Sequence, residues 1–146
     1  MAIEELIGDK ISEGKTKIVF TNRQDLETEI LFFKDTITAG DGVKRDVIKG
    51  KGAIDWQTNR DIMEYLKRNG VPTAYIDSPD LGYFRVRKLD WVVKLEVVAR
   101  RIATGSILKM GFEEGEVFKP IKHQFFYKDD FLHDPLLNEE FIEIIE

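Results

Sequence analysis

The sequence predicts an α+β fold. Short runs with strand-like patterning recur along the chain. Only one internal stretch, about residues 55–68, carries helical periodicity with a start signal and a stop signal. Thr16–Phe20 (TKIVF) reads as a strand, Thr21–Asp25 as a turn and Glu29–Lys34 (EILFFK) as a second strand. Residues 35–52 hold four of the eleven glycines and little apolar periodicity, which predicts a long mobile loop. Asp55 is the expected N-cap of the helix, and Asn69-Gly70 its end. Ile62 and Leu66 fall on one face, as do Trp56 and Met63, and that face is expected to be core.

Beyond the helix, Val71-Pro72 breaks the chain, and Thr73–Asp77 reads as a short strand. Ser78-Pro79-Asp80 with Gly82 forms the expected turn, and Tyr83–Lys88 alternates as a half-exposed strand does. Trp91–Arg100 is apolar on both faces and predicts a strand through the middle of the molecule. Ile102–Met110 reads as a helix or turn, Gly111–Lys119 as loop and Lys122–Lys128 as a strand. Asn138 is an expected N-cap for a two-turn helix whose apolar face, Phe141, Ile144 and Ile145, has to dock on something, another copy included.

The 146 residues are enough for one domain or two small lobes. With 42% hydrophobic and 34% charged residues, the chain is globular rather than disordered. A formal net charge of −5, with basic residues interleaved among acidic ones, argues against nucleic acid as the partner. No apolar run approaches a membrane span, and the acidic N-terminus lacks a signal-peptide core. The absence of cysteine excludes a disulfide framework and thiolate chemistry and is compatible with a cytoplasmic setting.

Two segments point to phosphate. In Arg100-Arg101-Ile102-Ala103-Thr104-Gly105-Ser106, two guanidinium groups precede a Thr-Gly-Ser turn. Fixed cations, a hydroxyl and free backbone donors make an anion receptor; the alternative is an arginine pair serving surface ion pairs. In Glu13-Gly14-Lys15-Thr16-Lys17, Gly14 permits close backbone approach, and Lys15 and Lys17 are expected on one strand face. The spaced second glycine of a P-loop is missing, and a solvated surface is the alternative. Asp35–Gly42 reads either as Asx turns or as a lid that brings Asp41 to a polar substrate. Tyr127–Pro135, with His133 among three aspartates, reads as a hydrogen-bonded turn or, less simply, a metal site. His123, beside aromatics, reads as structural, and no nucleophile elbow supports hydrolase chemistry.

In collinear order, Glu13–Lys17, Lys34–Gly42, Gly50-Lys51-Gly52-Ala53, Asn69–Thr73, Arg100–Ser106, Glu113-Glu114-Gly115 and Lys128-Asp129-Asp130 with His133-Asp134-Pro135 resemble the phosphoribosylaminoimidazole-succinocarboxamide synthase (SAICAR synthetase) family of purine biosynthesis. The resemblance implies an antiparallel N-terminal sheet with a helix, residues 1–89, on the ATP-phosphate side. It implies a second α+β lobe, residues 90–146, carrying the ribotide-phosphate site, with ATP held between the lobes. The implied activity is an ATP-dependent ligase joining L-aspartate to the carboxylate of the imidazole ribotide CAIR, with Mg2+ as cofactor. By the same resemblance, Gly14, Lys15, Lys17 and Lys88 bind ATP, Arg100 and Ser106 hold the ribotide phosphate, and Asp41 and Lys17 act in catalysis, Asp41 beside the ribotide or aspartate.

The resemblance departs on the C-terminal side. Family members continue with a Lys-x-Glu-Phe-Gly-like strand and acidic motifs expected to bind magnesium, and neither appears here. A fragment, a shortened relative and a site completed by another copy all stay open. So does a protein that binds nucleotide or ribotide without catalysing, or a generic nucleotide-binding lobe that ignores the ribotide.

Overall fold

The computed structural model describes residues 2–39, 44–129 and 131–144. The chain forms two compact units, Met1–Asp90 and Trp91–Glu146.

In the first unit, a short helix α1 (Ile3–Leu6) leads into β1 (Ile7–Glu13), followed by β2 (Lys17–Asn22) and β3 (Thr28–Phe33). A hairpin, β4 (Thr36–Ala39) with β5 (Lys44–Val47), precedes helix α2 (Lys51–Arg68), and β6 (Tyr75–Asp80) and β7 (Tyr83–Arg87) complete the unit. The main sheet is antiparallel in the order β1-β2-β3-β7-β6. Pairing of Lys17 with Phe33, Val19 with Leu31 and Thr21 with Glu29 puts these six side chains on one face. On that face Trp56 of α2 packs with Phe33, Phe84, Tyr75 and Val86, and its indole N–H donates to the Ser78 hydroxyl at 2.8 Å. The other face is closed by Ile3 and Leu6 of α1 against Ile30, with Phe20 and Tyr83 alongside. Neither α1 nor β1 is legible from periodicity, because Ile7–Glu13 interleaves glycine and charge with few apolar residues and pairs irregularly with β2.

The second unit holds β8 (Leu95–Ile102), a 3-10 helix (Gly105–Met110), β9 (Val117–Tyr127), β10 (Leu136–Leu137) and a second 3-10 helix (Glu139–Ile144). The sheet order is β10-β9-β8. Its small core is Ala103, Ile107 and Phe118, with Phe112 packed edge-on against Phe118.

Several expectations are corrected. Residues 35–52 are not one loop: they contain the β4–β5 hairpin and the first turn of α2. Asp55 does not cap α2; it pairs with Lys51 inside the helix. The cap comes from Asp35, whose carboxylate accepts from the Gly52 N–H at 2.8 Å and the Gly50 N–H at 3.1 Å. The first amides of a helix lack intrahelical partners and attract an anion, so a carboxylate distant in sequence serves as well as a local one. Ile62 is exposed while Trp56 is buried, so only the latter's face is core. β6 begins later than expected and runs through Ser78-Pro79-Asp80; it is the edge strand, where proline's missing N–H breaks no ladder. β8 starts only at Leu95 and is an edge strand with mostly exposed residues, not a central one. β9 begins at Val117, inside the stretch expected to be loop, and the last helix is a 3-10 turn. Phe141 is exposed in it, and Ile145 lies outside the described residues.

Candidate functional site

The turn between β1 and β2 is closed by the Gly14 N–H donating to the Lys17 carbonyl at 2.9 Å. Lys15 is exposed in that turn, and Lys17 is the first residue of β2, its ammonium 5.0 Å from the centre of the Phe33 ring. The two lysines therefore do not share a strand face: Lys15 precedes the strand. A side chain at Gly14 would meet nothing nearer than the Lys17 carbonyl oxygen at 3.8 Å, so packing in this chain does not demand glycine there.

The turn rests on Lys34, a buried lysine for which the sequence alone gives no role. Its ammonium donates to Glu13 Oε1 at 2.6 Å and to the Gly14 carbonyl at 3.0 Å, and its own N–H donates to the Thr16 carbonyl at 2.8 Å. Lys10 reaches the other oxygen of Glu13 at 3.1 Å. Asp35, the next residue, caps α2. Two consecutive residues at the end of β3 thus fix the lysine-bearing turn and the helix start.

The bonds from Lys34 and Lys10 lower the Glu13 carboxyl from its ordinary 4.5 to about 2. The folded state prefers the ionised form. The resulting stabilisation is full above pH 4.5 and is lost as pH falls from there to about 2. Melting temperature followed through that window is expected to fall less steeply in Glu13→Gln than in the parent, and equal slopes would count against the assignment.

Lys88 donates its N–H to the Glu27 carbonyl at 2.8 Å and lines a cavity of about 180 Å³ with Ile11, Leu26, Asn22 and Glu29. Ile11 stands on β1, three residues before Gly14, so one strand carries both a cavity wall and the approach to the turn.

In the second unit, Arg100 and Ser106 come together. The Arg100 Nη2 donates to the Ser106 hydroxyl at 3.0 Å, Nη1 to the Thr104 carbonyl at 3.2 Å and Nε to Gln124 Oε1 at 2.6 Å. All three partners are neutral, so the guanidinium charge faces no carboxylate among the described residues. Gly105, at φ +67°, turns the chain sharply enough to aim Ser106 back at Arg100, while Ala103 and Ile107 anchor the turn in the core. Arg101 is exposed and makes no hydrogen bond or ion pair among the described residues, so the expected guanidinium pair is a single arginine with a hydroxyl and an amide. Thr104 belongs to the expected Thr-Gly-Ser turn and takes part through its carbonyl, whereas Gln124 is an addition whose signal is its position in the strand expected over 122–128.

Asp41 lies outside the described residues. Lys128 bridges Asp134 at 2.5 Å and Glu96 at 3.5 Å, and Asp129 accepts from the Phe131 and Leu132 amides, which makes this motif a hydrogen-bonded turn. Among the described residues no group of three His, Cys, Asp or Glu side chains is placed to hold a metal ion. Nor is any described helix long and apolar enough to cross a membrane.

The antiparallel α+β architecture carries a lysine-bearing turn in one unit and, in the other, an arginine whose hydrogen-bond partners are neutral. A sequence model of the SAICAR synthetase family matches residues 10–146. The chain is 44% identical over 138 residues to a phosphoribosylaminoimidazole-succinocarboxamide synthase of Sulfurisphaera tokodaii, covering 94% of this chain and 58% of that protein. It superposes on a SAICAR synthetase solved in complex with ADP at TM-score 0.84 and 34% identity, covering 91% of this chain and 56% of the other. It superposes equally on the phosphoribosylaminoimidazole-succinocarboxamide synthase from Ehrlichia chaffeensis at TM-score 0.87 and 31% identity, covering 93% and 57%. This chain belongs to the SAICAR synthetase family, and it spans little more than half the length of the relatives it matches.

Proposed function

We propose that the chain supplies the nucleotide-phosphate and ribotide-phosphate parts of a cytoplasmic ATP-dependent ligase that joins L-aspartate to the carboxylate of CAIR, giving SAICAR, ADP and phosphate. The observation that carries this reading is the Arg100–Ser106 contact, a cation with neutral partners beside a hydroxyl donor. A phosphate monoester fits it, since its oxygens accept from both groups and its charge answers the guanidinium. Lys15 and Lys17 are the proposed partners of the ATP phosphates, with the open face of Gly14 admitting them closely. The cavity at Lys88 is smaller than the roughly 300–1,000 Å³ of ordinary ligand pockets and suits a base rather than a whole nucleotide.

The proposed chemistry has two steps. The CAIR carboxylate oxygen takes the γ-phosphoryl group of ATP and ADP leaves. The aspartate amine then attacks the acyl carbon, phosphate departs with the C–O bond, and the amine loses a proton. A carboxylate is a poor electrophile and the acyl phosphate a good one, so the protein's work is positioning and charge neutralisation. Lys17 is proposed to steady the transferring phosphoryl group and Asp41 to orient the ribotide or aspartate. Among the described residues no group of three or more His, Cys, Asp or Glu side chains gathers to hold a metal ion, and no step here runs through magnesium.

Incubation of excess protein with ATP, CAIR and aspartate is expected to yield ADP and SAICAR by chromatography. Because the chain spans little more than half the length of its relatives, a second reading is that it binds both ligands without turnover. Binding without product would select this second reading. Arg100→Ala is expected to weaken CAIR binding by about 1.5–3 kcal/mol, with little change in melting temperature because its partners can turn to water. Large destabilisation with intact affinity would make Arg100 structural.

A further inference from the structure

The geometry points to Lys122 as a further ribotide-phosphate residue, completing a two-cation subsite with Arg100; this rests on the ribotide reading of Arg100 and Ser106. Lys122 sits directly opposite Arg100 in the β8–β9 ladder. Residues opposite each other in an antiparallel pair project to the same face. The side chain of Gln124, two residues further along β9, receives the Arg100 Nε bond at 2.6 Å, which fixes the face of the sheet on which this occurs. Lys122 therefore rises from the side that carries Arg100, Gln124 and, through the turn, Ser106.

The charges give that placement meaning. Like charges directly opposite each other weaken a strand pair, yet this chain, with 27 acidic residues against 22 basic ones, sets two cations there. Among the described residues neither cation forms an ion pair with a carboxylate. Arg100 spends its donors on neutral acceptors, and Lys122 is exposed without a hydrogen bond or ion pair among the described residues. The carboxylate further along the same face of β8, Glu96, is engaged by Lys128 at 3.5 Å. A dianionic phosphate monoester would relieve the repulsion, taking the flat guanidinium and the hydroxyl on one side and the mobile ammonium on the other.

The test is calorimetric titration of the whole chain with CAIR and with the matching nucleoside that lacks the phosphate. Lys122→Ala is expected to lower CAIR affinity about tenfold, the lower end for a charge-assisted contact, leave nucleoside affinity and melting temperature unchanged, and be rescued by Lys122→Arg. Lys119→Ala, an exposed lysine elsewhere on β9, is expected to bind CAIR like the parent. Unchanged CAIR affinity in Lys122→Ala, while Arg100→Ala loses it, overturns the inference and leaves the ribotide reading standing. An equal loss in Lys119→Ala also overturns it, because net charge would then be the cause. If the parent chain does not bind CAIR at all, the ribotide reading itself falls and the inference with it.

Discussion

Gly52→Ala is expected to destabilise the first unit by about 1–3 kcal/mol, the range for forced overpacking. Alanine favours helix over glycine by about 1 kcal/mol, so an ordinary helix position would gain stability. Here a Cβ would lie 2.6 Å from the Phe33 carbonyl oxygen and 2.9 Å from the Lys34 carbonyl carbon. Both are backbone atoms, one in the last residue of β3 and one in the residue after it, and cannot rotate away. Either the helix start lifts off β3, breaking the Asp35 bonds to the Gly50 and Gly52 amides, or β3 shifts and disturbs Lys34. Denaturant unfolding of Gly52→Ala beside Gly14→Ala isolates the effect, because the latter's added methyl meets only an ordinary contact, the Lys17 carbonyl oxygen at 3.8 Å, and is expected to leave stability unchanged. Equal stability of Gly52→Ala and the parent would show that the close approach is not maintained.

Lys34→Met is expected to loosen the β1–β2 turn and lower both melting temperature and nucleotide affinity. Methionine keeps most of the buried stem but removes the ammonium. The Gly14 carbonyl then loses its side-chain donor and Glu13 its nearest cation. Glu13 and Gly14 are exposed, so water replaces part of what the ammonium gave them, and the fall in melting temperature is expected to be modest. Because the same turn carries Lys15 and leads into Lys17, ADP affinity is expected to fall several-fold, reflecting lost positioning of the proposed phosphate donors. Lys34→Arg, which keeps the charge, is expected to recover part of both. A lowered melting temperature with unchanged ADP affinity would confine Lys34 to a structural role and separate the turn's rigidity from nucleotide binding.

How much of this was legible in the sequence follows from the range of the forces involved. β2, β3, β7 and the body of α2 are set by local patterning, and Trp56 with Met63 indicated correctly where the helix meets the sheet. The start of α2 was misplaced because its cap, Asp35, is distant in sequence, and the visible candidate, Asp55, serves an ion pair within the helix. β8 looked central because it is apolar on both faces; its place at a sheet edge depends on topology, which periodicity does not encode. For the site, the Arg100 to Ser106 spacing was enough to bring those two residues together. Arg101 was read as its twin, though it makes no contact in that network. Lys34 escaped notice because a lysine at a strand end is ordinarily solvated; its burial emerges only when the β1–β2 turn folds over it.

The most direct measurement is sequential calorimetric titration of one sample with ADP and then with CAIR, and of a second sample in the reverse order. The proposal predicts one equivalent of each ligand per chain, with saturation by either leaving the stoichiometry of the other intact. Displacement of one ligand by the other, or no binding of either, would contradict the claim that this chain holds two different phosphorylated molecules at separate places.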